Sequence, residues 1–344
     1  MMQNYAVGIG PGTQDGQGEW LEIFYPAPLL QASTAVVAAL GTVLNLTDED
    51  CAVMLDKTQL KTLGRAFDEQ GETAQAQLMR TLSESSKPVV ATVLASDSAP
   101  TSIPAAYLKL HLISHRLVKP HDTNLTGIFG MLPNVAWTNM GAIALAELPQ
   151  RQLEARLQGS GLQVNCVDKF PKMTDYVVPS GVRIADASRV RLGAYIGEGT
   201  TIMHEGFVNF NAGAEGPNMI EGRISAGVFV GAGSDLGGSS STMGTLSGGG
   251  NIIISVGKEC LLGANAGIGI PLGDRCTVEA GLYITAGTKV VMLDEQQQKV
   301  AEIKARELAG KDDLLFRRNS LNGAVECLTN QTAIELNEAL HAHN

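Results

Sequence analysis

The chain has 344 residues, of which 44% are hydrophobic and 5% aromatic, and 39 are glycines. Its length and apolar content favour two or three folded units that bury cores of their own. A formal net charge of −10, without any block of Lys or Arg, argues against the basic surfaces that nucleic acids and anionic membranes require.

The chain lacks the sequence features of targeting, membrane-spanning and cysteine-rich segments. Its first residues show no charged start followed by an apolar run, and nowhere do about 18 apolar residues follow one another. The 5 cysteines are scattered and never form a CxxC pair, which argues against a disulfide framework or a zinc site. We therefore expect a cytoplasmic protein without membrane or nucleic-acid partners.

Residues 1–104 carry the signals of a small α+β domain. Thr47 followed by Asp50 has the spacing of a capping box and predicts a helix start. The glycines at 8, 10 and 12 fit a turn better than a nucleotide-binding loop, because no helix follows them. Strands are predicted at 5–10, 20–25 and 88–95, and a helix over 57–83.

Residues 105–175 are predicted to form an α/β linker domain with helices at 141–146 and 149–158. His111 and His115 are four residues apart, which is a spacing that zinc sites use. The glutamate of an HExxH motif is missing, so we interpret these histidines and His121 as structural.

Residues 176–291 repeat an aliphatic side chain at every sixth position, with a small residue four places later. A period of six fits neither a helix nor an alternating strand, whereas short strands joined by tight turns would stack into a parallel β-helix. A sandwich or barrel would instead show alternation of period two. The repeating aliphatics are Val178, Ile184, Val190, Ile196, Ile202 and Val208, then Ile224, Val230, Leu236 and Thr242, then Val256, Leu262 and Ile268, and finally Leu272, Val278, Ile284 and Val290.

Residues 292–344 are predicted to be a small C-terminal extension. Its polar first part is typical of a hairpin, and 332–342 have the pattern of an amphipathic helix. The whole chain is thus mostly β, with an N-terminal α+β domain before the coil and this extension after it.

Few residues of the coil could carry chemistry. His204 could act as a general base, and Glu221 could act as a base or attack an acyl donor, although either could equally be a solvated surface residue. The Gly/Ser-rich loop 237–250 lacks the phosphate-binding GxxxxGK pattern. Cations that could bind carboxylates or phosphates are Arg183, Arg189, Arg191, Arg223, Lys289, Lys304, Arg317 and Arg318.

Several segments together resemble the long form of the tetrahydrodipicolinate N-succinyltransferase family, within the hexapeptide-repeat acyltransferases. The resemblance covers nearly the whole chain. It is strongest in VDKFPKMTDYVVPSGVRIAD, TIMHEGFVNFNAG, MIEGRISAG, GSDLGG, MGTLSGGG, LLGANAGIGI, VEAGLYITAGT and LLFRRNS. It implies a left-handed parallel β-helix, a homotrimer with active sites between subunits, and succinyl transfer from succinyl-CoA to tetrahydrodipicolinate in diaminopimelate and lysine biosynthesis.

The resemblance also implies roles for single residues. The glutamate of MIEGRIS, Glu221, would be the acyl-accepting nucleophile, and Glu205 of the HEG segment would bind Mg²⁺ near the threefold axis. A second acidic position of that metal site corresponds to Ser188 here. Contacts to the acyl coenzyme would come from Arg223, Gly238, Ser241, Ala264, Glu279, Ala280, Gly287, Lys304, Arg317, Arg318, Asn319 and Ser320.

Two other functions remain compatible with the residues alone. The same coil could acylate an amino sugar or serine, because a fold does not fix a substrate. It could also be a non-catalytic binding module. A hydratase of the carbonic-anhydrase type is disfavoured, because such a metal site needs several histidines and only His204 lies in the repeats.

Overall fold

The computed structural model describes residues 4–244 and 252–329, so the predicted helix at 332–342 and part of the Gly/Ser-rich loop lie outside the described residues. The chain divides into two compact units. The N-terminal unit comprises the described residues up to Val118 together with Asp122–Pro171 and Asp175–Val177. The coil unit comprises Lys119–His121, Lys172–Thr174 and the described residues from Val178 onward.

The N-terminal unit is built on an antiparallel sheet with strand order β2-β1-β5-β4, in which β3 also pairs with β1. Helices α1 to α3 contribute to a core with the sheet that contains Val7, Leu40, Leu63, Phe67 and Met79. The elements are β1 (Ala6–Gln14), β2 (Trp20–Ile23), β3 (Leu29–Leu30), α1 (Thr34–Leu40), β4 (Cys51–Leu55), α2 (Lys57–Glu69), α3 (Thr73–Leu82), β5 (Val89–Leu94) and α4 (Ile103–Ser114).

The predicted strands are confirmed, but the helix start at Thr47 is wrong. Helix α2 begins after Asp56, whose side chain accepts a hydrogen bond from the backbone N–H of Gln59 while Gln59 caps in return. Asp50 instead accepts a hydrogen bond from the N–H of Ala95. The glycines at 8, 10 and 12 belong to strand β1 and not to a turn.

Helix α4 is buried on all sides, and His111 lies on it with no exposed surface. The His111 Nδ1 donates to the carbonyl of Tyr107, and its Nε2 accepts from the N–H of Tyr25. Burial lowers the pKa of His111 to about 3, so the ring is neutral. Because both ring nitrogens are used by the backbone, this histidine has a structural role.

The rest of the N-terminal unit contains a three-stranded sheet with the order β7-β6-β8. The predicted helix at 149–158 is confirmed as α6, whereas the one predicted at 141–146 is wrong, because Gly141–Ala144 pairs with β6 as a strand. The elements are α5 (Ile128–Met131), β6 (Val135–Thr138), β7 (Gly141–Ala144), α6 (Leu148–Leu157) and β8 (Val164–Asp168).

The coil unit consists of short parallel strands that form three sheets, which we call the first, second and third faces. The first face contains β10 (Ala194–Ile196), β13 (Ala212–Ala214), β16 (Phe229–Val230) and β19 (Ser255–Val256). The second contains β9 (Arg183–Ile184), β11 (Thr200–Ile202), β14 (Asn218–Ile220), β17 (Asp235–Leu236), β20 (Leu261–Leu262) and β22 (Thr277–Val278). The third contains β12 (Phe207–Val208), β15 (Arg223–Ile224), β18 (Ser241–Thr242), β21 (Gly267–Gly269) and β23 (Tyr283–Thr285).

The six-residue repeat is confirmed as the interior of this coil. One repeating side chain per strand points inward, and the repeating residues from Val190 to Val290 are at most 3% exposed. The first two repeating residues are exceptions. Val178 is 71% exposed and precedes the first coil strand, which begins at Arg183, and Ile184 on that strand is half-buried. The coil therefore buries a continuous aliphatic column.

The coil ends in a group of parallel and antiparallel strands that continue its second face. The predicted polar hairpin is confirmed as β24 (Lys289–Leu293) and β25 (Lys299–Lys304). Strand β26 (Leu314–Arg318) adds in parallel to β22, and β27 (Val325–Thr329) pairs with both β24 and β26. Among the residues described, no helix is long and apolar enough to cross a membrane.

Candidate active site

The turns between the second and third faces stack on one another along one edge of the coil. We call this the Glu221 edge, and it consists of residues 203–206, 221–222, 237–240, 263–266 and 279–282. Neighbouring strands in a sheet lie about 4.8 Å apart, so the stacked turns form a line with that spacing.

Backbone hydrogen bonds hold this edge together. The N–H groups of Glu221, Gly237 and Gly263 donate to the carbonyls of Leu236, Leu262 and Val278 at 2.7–2.8 Å. The turns are packed so closely that a Cβ added at Gly222 would lie 2.1 Å from the Ser240 Oγ. The edge is therefore rigid, and glycine is required where the turns touch.

Glu221 lies on the second of these turns and is half-buried. Its backbone is fixed on both sides, because its N–H donates to Leu236 and its carbonyl accepts from Ser239. Its carboxylate lies beside Gly238, where an added Cβ would be 3.5 Å from Oε2. The carboxylate has no hydrogen-bond partner among residues 4–244 and 252–329, so both oxygens are open to a ligand.

Arg223 lies two residues later on the third face, with its side chain exposed. Its Nη2 and Nε lie 3.0 and 3.3 Å from the Oγ of Ser241, which is the residue opposite it on the next strand. Gly267 lies on the strand after that, β21, and the ring of Tyr283 on β23 covers it. A Cβ added at Gly267 would lie 2.1 Å from this ring. This outward surface thus carries a guanidinium, a hydroxyl and an aromatic ring.

The upper end of the Glu221 edge is formed by the segment that follows Phe316. Phe316 pairs with Val278, so Arg317 and Arg318 continue the line of turns by one further step. The Glu279 carboxylate accepts a hydrogen bond of 2.7 Å from the N–H of Arg318. Four steps of about 4.8 Å separate Glu221 from Arg318, which places them about 19 Å apart along the edge.

The smaller residues predicted to bind the coenzyme lie between these two ends. Gly238 is half-buried, and Ala264 and Ala280 are exposed on successive turns. Because none of the three has a large side chain, the edge between Glu221 and Arg318 is an open strip. Asn319 and Ser320 lie directly after Arg318 in the turn between β26 and β27.

Two other predicted residues lie away from the Glu221 edge. Gly287 is exposed in the turn that follows β23, at the opposite border of the third face. Lys304 is exposed on β25, opposite Lys289 of β24. The structure therefore brings most of the predicted coenzyme residues to one edge and leaves these two near the C-terminal hairpin.

The lower end of the Glu221 edge carries His204 and Glu205, both exposed. The guanidinium of Arg189 donates to the backbone carbonyls of Glu205 and Gly206, and so fixes this turn. No group of three or more His, Cys, Asp or Glu side chains within residues 4–244 and 252–329 is placed to hold a metal ion.

An exposed strip that runs from an unpaired carboxylate to a basic segment suits an extended anionic ligand with a reactive group at one end. Comparison with known proteins shows the family to which the chain belongs. A 2,3,4,5-tetrahydropyridine-2,6-dicarboxylate N-succinyltransferase of Pseudomonas paraeruginosa is 68% identical, over 99% of this chain and 98% of its own length. The chain belongs to this succinyltransferase family.

Other matches extend over the same range. The family's enzyme from Vibrio cholerae is 57% identical over the full length of both chains. A crystal structure from Campylobacter jejuni, described as a 2,3,4,5-tetrahydropyridine-2-carboxylate N-succinyltransferase, superposes with a TM-score of 0.88 at 32% identity, and covers 97% of this chain and 94% of that one.

Models of the family's parts match three segments of the chain. The tetrahydrodipicolinate N-succinyltransferase N-terminal and middle models match residues 58–130 and 132–172, and the hexapeptide repeat of succinyl-transferase matches 253–286. The family resemblance inferred from the sequence is thereby confirmed.

Sequence reasoning missed two features of the site. Glu326 is only 7% exposed, and its carboxylate accepts hydrogen bonds from Arg317 and Asn319. The Tyr283 ring on the third face was also not singled out. Only the pairing of β26 with β27 shows the partners of Glu326, because it places this residue directly opposite Arg317.

Proposed function

We propose that this chain transfers the succinyl group of succinyl-CoA to the amine of tetrahydrodipicolinate in its ring-opened, hydrated form. The products are N-succinyl-2-amino-6-ketopimelate and free coenzyme A, within diaminopimelate and lysine biosynthesis. The proposal rests on the full-length identity of 68% to a succinyltransferase of that substrate. The site supports it, because one edge offers an unpaired carboxylate and a distant cation.

Glu221 has the role of acyl acceptor in this proposal. Its carboxylate attacks the thioester carbonyl, the carbon–sulfur bond breaks, and the coenzyme leaves as a thiolate that is then protonated. The substrate amine next attacks the succinyl carbonyl of the anhydride and loses a proton, the bond from this carbonyl to the Glu221 oxygen breaks, and Glu221 leaves as its carboxylate. The absence of any hydrogen bond to the Glu221 carboxylate among the described residues supports this role, because the lone pairs of its oxygens are not engaged.

Direct attack of the amine on the thioester is the competing route. It requires donor and acceptor to be bound together, whereas the anhydride route allows coenzyme A to leave before the acceptor binds. Initial-rate kinetics with both substrates varied separate the two, since parallel reciprocal plots indicate a ping-pong order. A succinylated Glu221 peptide found by mass spectrometry without acceptor would support the covalent route.

The coenzyme is proposed to lie along the Glu221 edge, with its acyl end at Glu221 and its phosphates at residues 317–320. The small side chains at 238, 264 and 280 leave room for an extended arm over about 19 Å. Arg223 and Ser241 are placed to bind a carboxylate of succinyl or of the acceptor. Gly287 and Lys304 would contact the coenzyme from the opposite border of the third face.

The assembly is proposed to be a homotrimer of left-handed parallel β-helices in the cytoplasm, with active sites between subunits. A Mg²⁺ ion on the threefold axis would need Glu205 from each copy, because one chain alone does not provide a ligand set within its described residues. Ser188 cannot replace a second carboxylate there, since its hydroxyl donates to Asp186 at 2.6 Å. A bound Mg²⁺ would supply positive charge between the subunits, and no catalytic step depends on it.

The activity is tested by thiol release from succinyl-CoA in the presence of tetrahydrodipicolinate. Acetyl-CoA, and amino sugars or serine as acceptors, serve as the comparison. Thiol release that needs tetrahydrodipicolinate and prefers succinyl-CoA would support the proposal. Release with an amino sugar or serine instead would favour another acyltransferase, and no release with any pair would favour a binding module.

A further inference from the structure

A cavity of about 380 Å³ lies within the N-terminal unit, next to helix α6, and we call it the α6 cavity. Thr13 and Lys87 line it from the side of the sheet of strands β1 to β5, and the other lining residues belong to the ranges 140–143 and 151–162. No residue of α6 is buried, so the rest of the unit covers this helix only in part. A volume of this size is typical of small-molecule sites, and the proposed reaction does not use it.

One wall of the α6 cavity is apolar. It consists of Met140, Ala142, Ile143, Ala155 and Leu162. Met140 is 72% exposed, and the other four are half-buried. Covering such a wall with an apolar group of a ligand is favourable, because apolar surface is then removed from water. This wall therefore suits a ligand with an aliphatic or aromatic group.

A second wall is one face of α6 and carries two unlike charges. The residues of this face that line the cavity have the helical spacing i, i+3, i+4 and i+7, and they are Arg151, Glu154, Ala155 and Gln158. Arg151 and Glu154 are therefore neighbours on the helix. Glu154 does not pair with Arg151, because its Oε1 accepts a hydrogen bond of 2.8 Å from the Gln150 side chain. Its Oε2 has no hydrogen-bond partner within residues 4–244 and 252–329.

The charge of Arg151 is left without a partner in the described part of the chain. Glu147 lies one helical turn earlier, where it could pair with Arg151, but its carboxylate accepts a hydrogen bond of 2.6 Å from the N–H of Gly16. The Arg151 side chain is exposed and makes no hydrogen bond or ion pair with any described residue. Its guanidinium donors are thus available to an anion.

The other cation of the α6 cavity is already engaged. The Lys87 Nζ donates to the Thr13 Oγ1 at 2.9 Å and lies 3.9 Å from the Glu22 carboxylate. Glu22 is only 7% exposed, and a buried carboxylate needs a nearby positive charge. Among the residues described, the cavity therefore offers an available cation on Arg151 and an open carboxylate oxygen on Glu154, together with an apolar wall.

We infer that the α6 cavity binds an α-amino acid with an apolar side chain. The ligand carboxylate pairs with the Arg151 guanidinium, and its ammonium group pairs with the open oxygen of Glu154. The apolar side chain of the ligand covers the wall that contains Met140, Ile143 and Leu162. A ligand with only one charge would leave either Arg151 or Glu154 without a partner, whereas a zwitterion satisfies both. The inference does not depend on the proposed function.

The test measures dissociation constants by isothermal titration calorimetry on the full-length protein. The probes are L-leucine, L-methionine and L-phenylalanine. The tightest of them is compared with L-alanine and with its own analogues that lack the amine or the carboxylate, which for leucine are 4-methylpentanoate and 3-methylbutylamine. At least one probe should bind more tightly than about 1 mM, and alanine and both analogues should bind at least about tenfold more weakly than that probe.

Variants of the two charged residues locate the site. Arg151→Gln should weaken binding of the amino acid about tenfold and remove its advantage over the analogue without a carboxylate. Glu154→Gln should weaken it by a similar factor and remove its advantage over the analogue without an amine. Arg156→Gln is the matched control, because Arg156 is an exposed arginine of the same helix that does not line the cavity. The control should bind the amino acid within about twofold of wild type.

Three results would overturn the inference. The first is binding of all three probes more weakly than about 1 mM. The second is an analogue with a single charge, or alanine, that binds as tightly as the best probe. The third is unchanged binding in Arg151→Gln, or an equal loss in Arg151→Gln and Arg156→Gln, since binding would then lie elsewhere or depend only on overall charge. If a variant does not fold, the comparison of ligands on the wild type still decides.

Discussion

Adding one methyl group at Gly263 should force two turns of the Glu221 edge apart. A Cβ built there would lie 2.5 Å from the N of Ala280 and 2.8 Å from its Cα, whereas ordinary contact begins at 3.4 Å. The opposing atoms belong to the backbone and cannot rotate away, so the turns must separate locally by about 0.9 Å.

The cost follows from the bonds beside this contact. The hydrogen bonds from Gly263 to Val278 and from Gly281 to Ala264 are both 2.8 Å long and would be stretched beyond useful length. Each contributes about 1 kcal/mol, and overpacking adds about 1–3 kcal/mol. A destabilisation of about 3–5 kcal/mol should lower the melting temperature of a unit of this size by about 6–20 °C.

The assay is thermal unfolding followed by circular dichroism at equal protein concentration, because assembly would make melting depend on concentration. Gly287→Ala is the matched control, since no atom lies within 4 Å of its added Cβ and its φ is not in the left-handed region. The control should melt at or slightly above the wild-type temperature. If Gly263→Ala melts within about 2 °C of the control, close stacking of the turns does not limit this edge.

Three further predictions concern single side chains. Glu221→Gln should abolish succinyl transfer but leave the melting temperature unchanged, because the carboxylate has no hydrogen bond within the described residues; thiol release near the wild-type rate would contradict its role. The N-terminal unit should lose stability as pH falls from about 6.5 towards 3. In this range His111 binds a proton in the unfolded chain but stays neutral in the folded protein, so the free energy of unfolding should fall by up to about 1.4 kcal/mol per pH unit. Urea unfolding at several pH values measures this, and the slope should be smaller in His111→Gln. Lys109→Met should destabilise the N-terminal unit by about 1–3 kcal/mol in the same assay, since Lys109 is fully buried and pairs with Asp97, which is only a third exposed; an unchanged unfolding midpoint would show that the pair is not needed.

The coil could be predicted from the sequence because its repeat fixes every inward residue. The repeat falls into four separate runs, so the stacking of the turns at Glu221, Gly238 and Ala264 is seen only in the pairing of the strands beside them. The repeat does not indicate the residue at which the first strand of the coil begins. Val178 keeps the spacing but is exposed, because the structure has no coil strand before Arg183.

The N-terminal unit was harder to predict, because its signals are short and local. The capping pattern at Thr47 was overridden when residues 51–55 paired with β5 as a strand. Residues 141–146 suggested a helix, yet Gly141 has a φ of 97° and starts a strand of four residues. In both places tertiary pairing determined the structure over local preference.

The charges at the upper end of the site could not be sorted from the sequence either. Arg317 and Arg318 are neighbours with the same chemistry, and both suggested phosphate binding. Only the pairing of β26 with β27 places Glu326 opposite Arg317 and leaves Arg318 without an acidic partner among the described residues. Partners distant in sequence thus decide which of two like residues is available.

Because the windings of the coil are evenly stacked, their number fixes the distance between Glu221 and Arg318 along the Glu221 edge. Each complete winding adds about 4.8 Å between Glu221 and Arg318 without changing the surroundings of either residue. Deleting one winding would shorten the distance between Glu221 and Arg318 by that amount. A donor whose phosphates bind at Arg318 would then have its acyl carbon beyond Glu221. If the donor binds along this edge as proposed, the number of windings between the two residues, and not only their identity, sets the length of donor that fits.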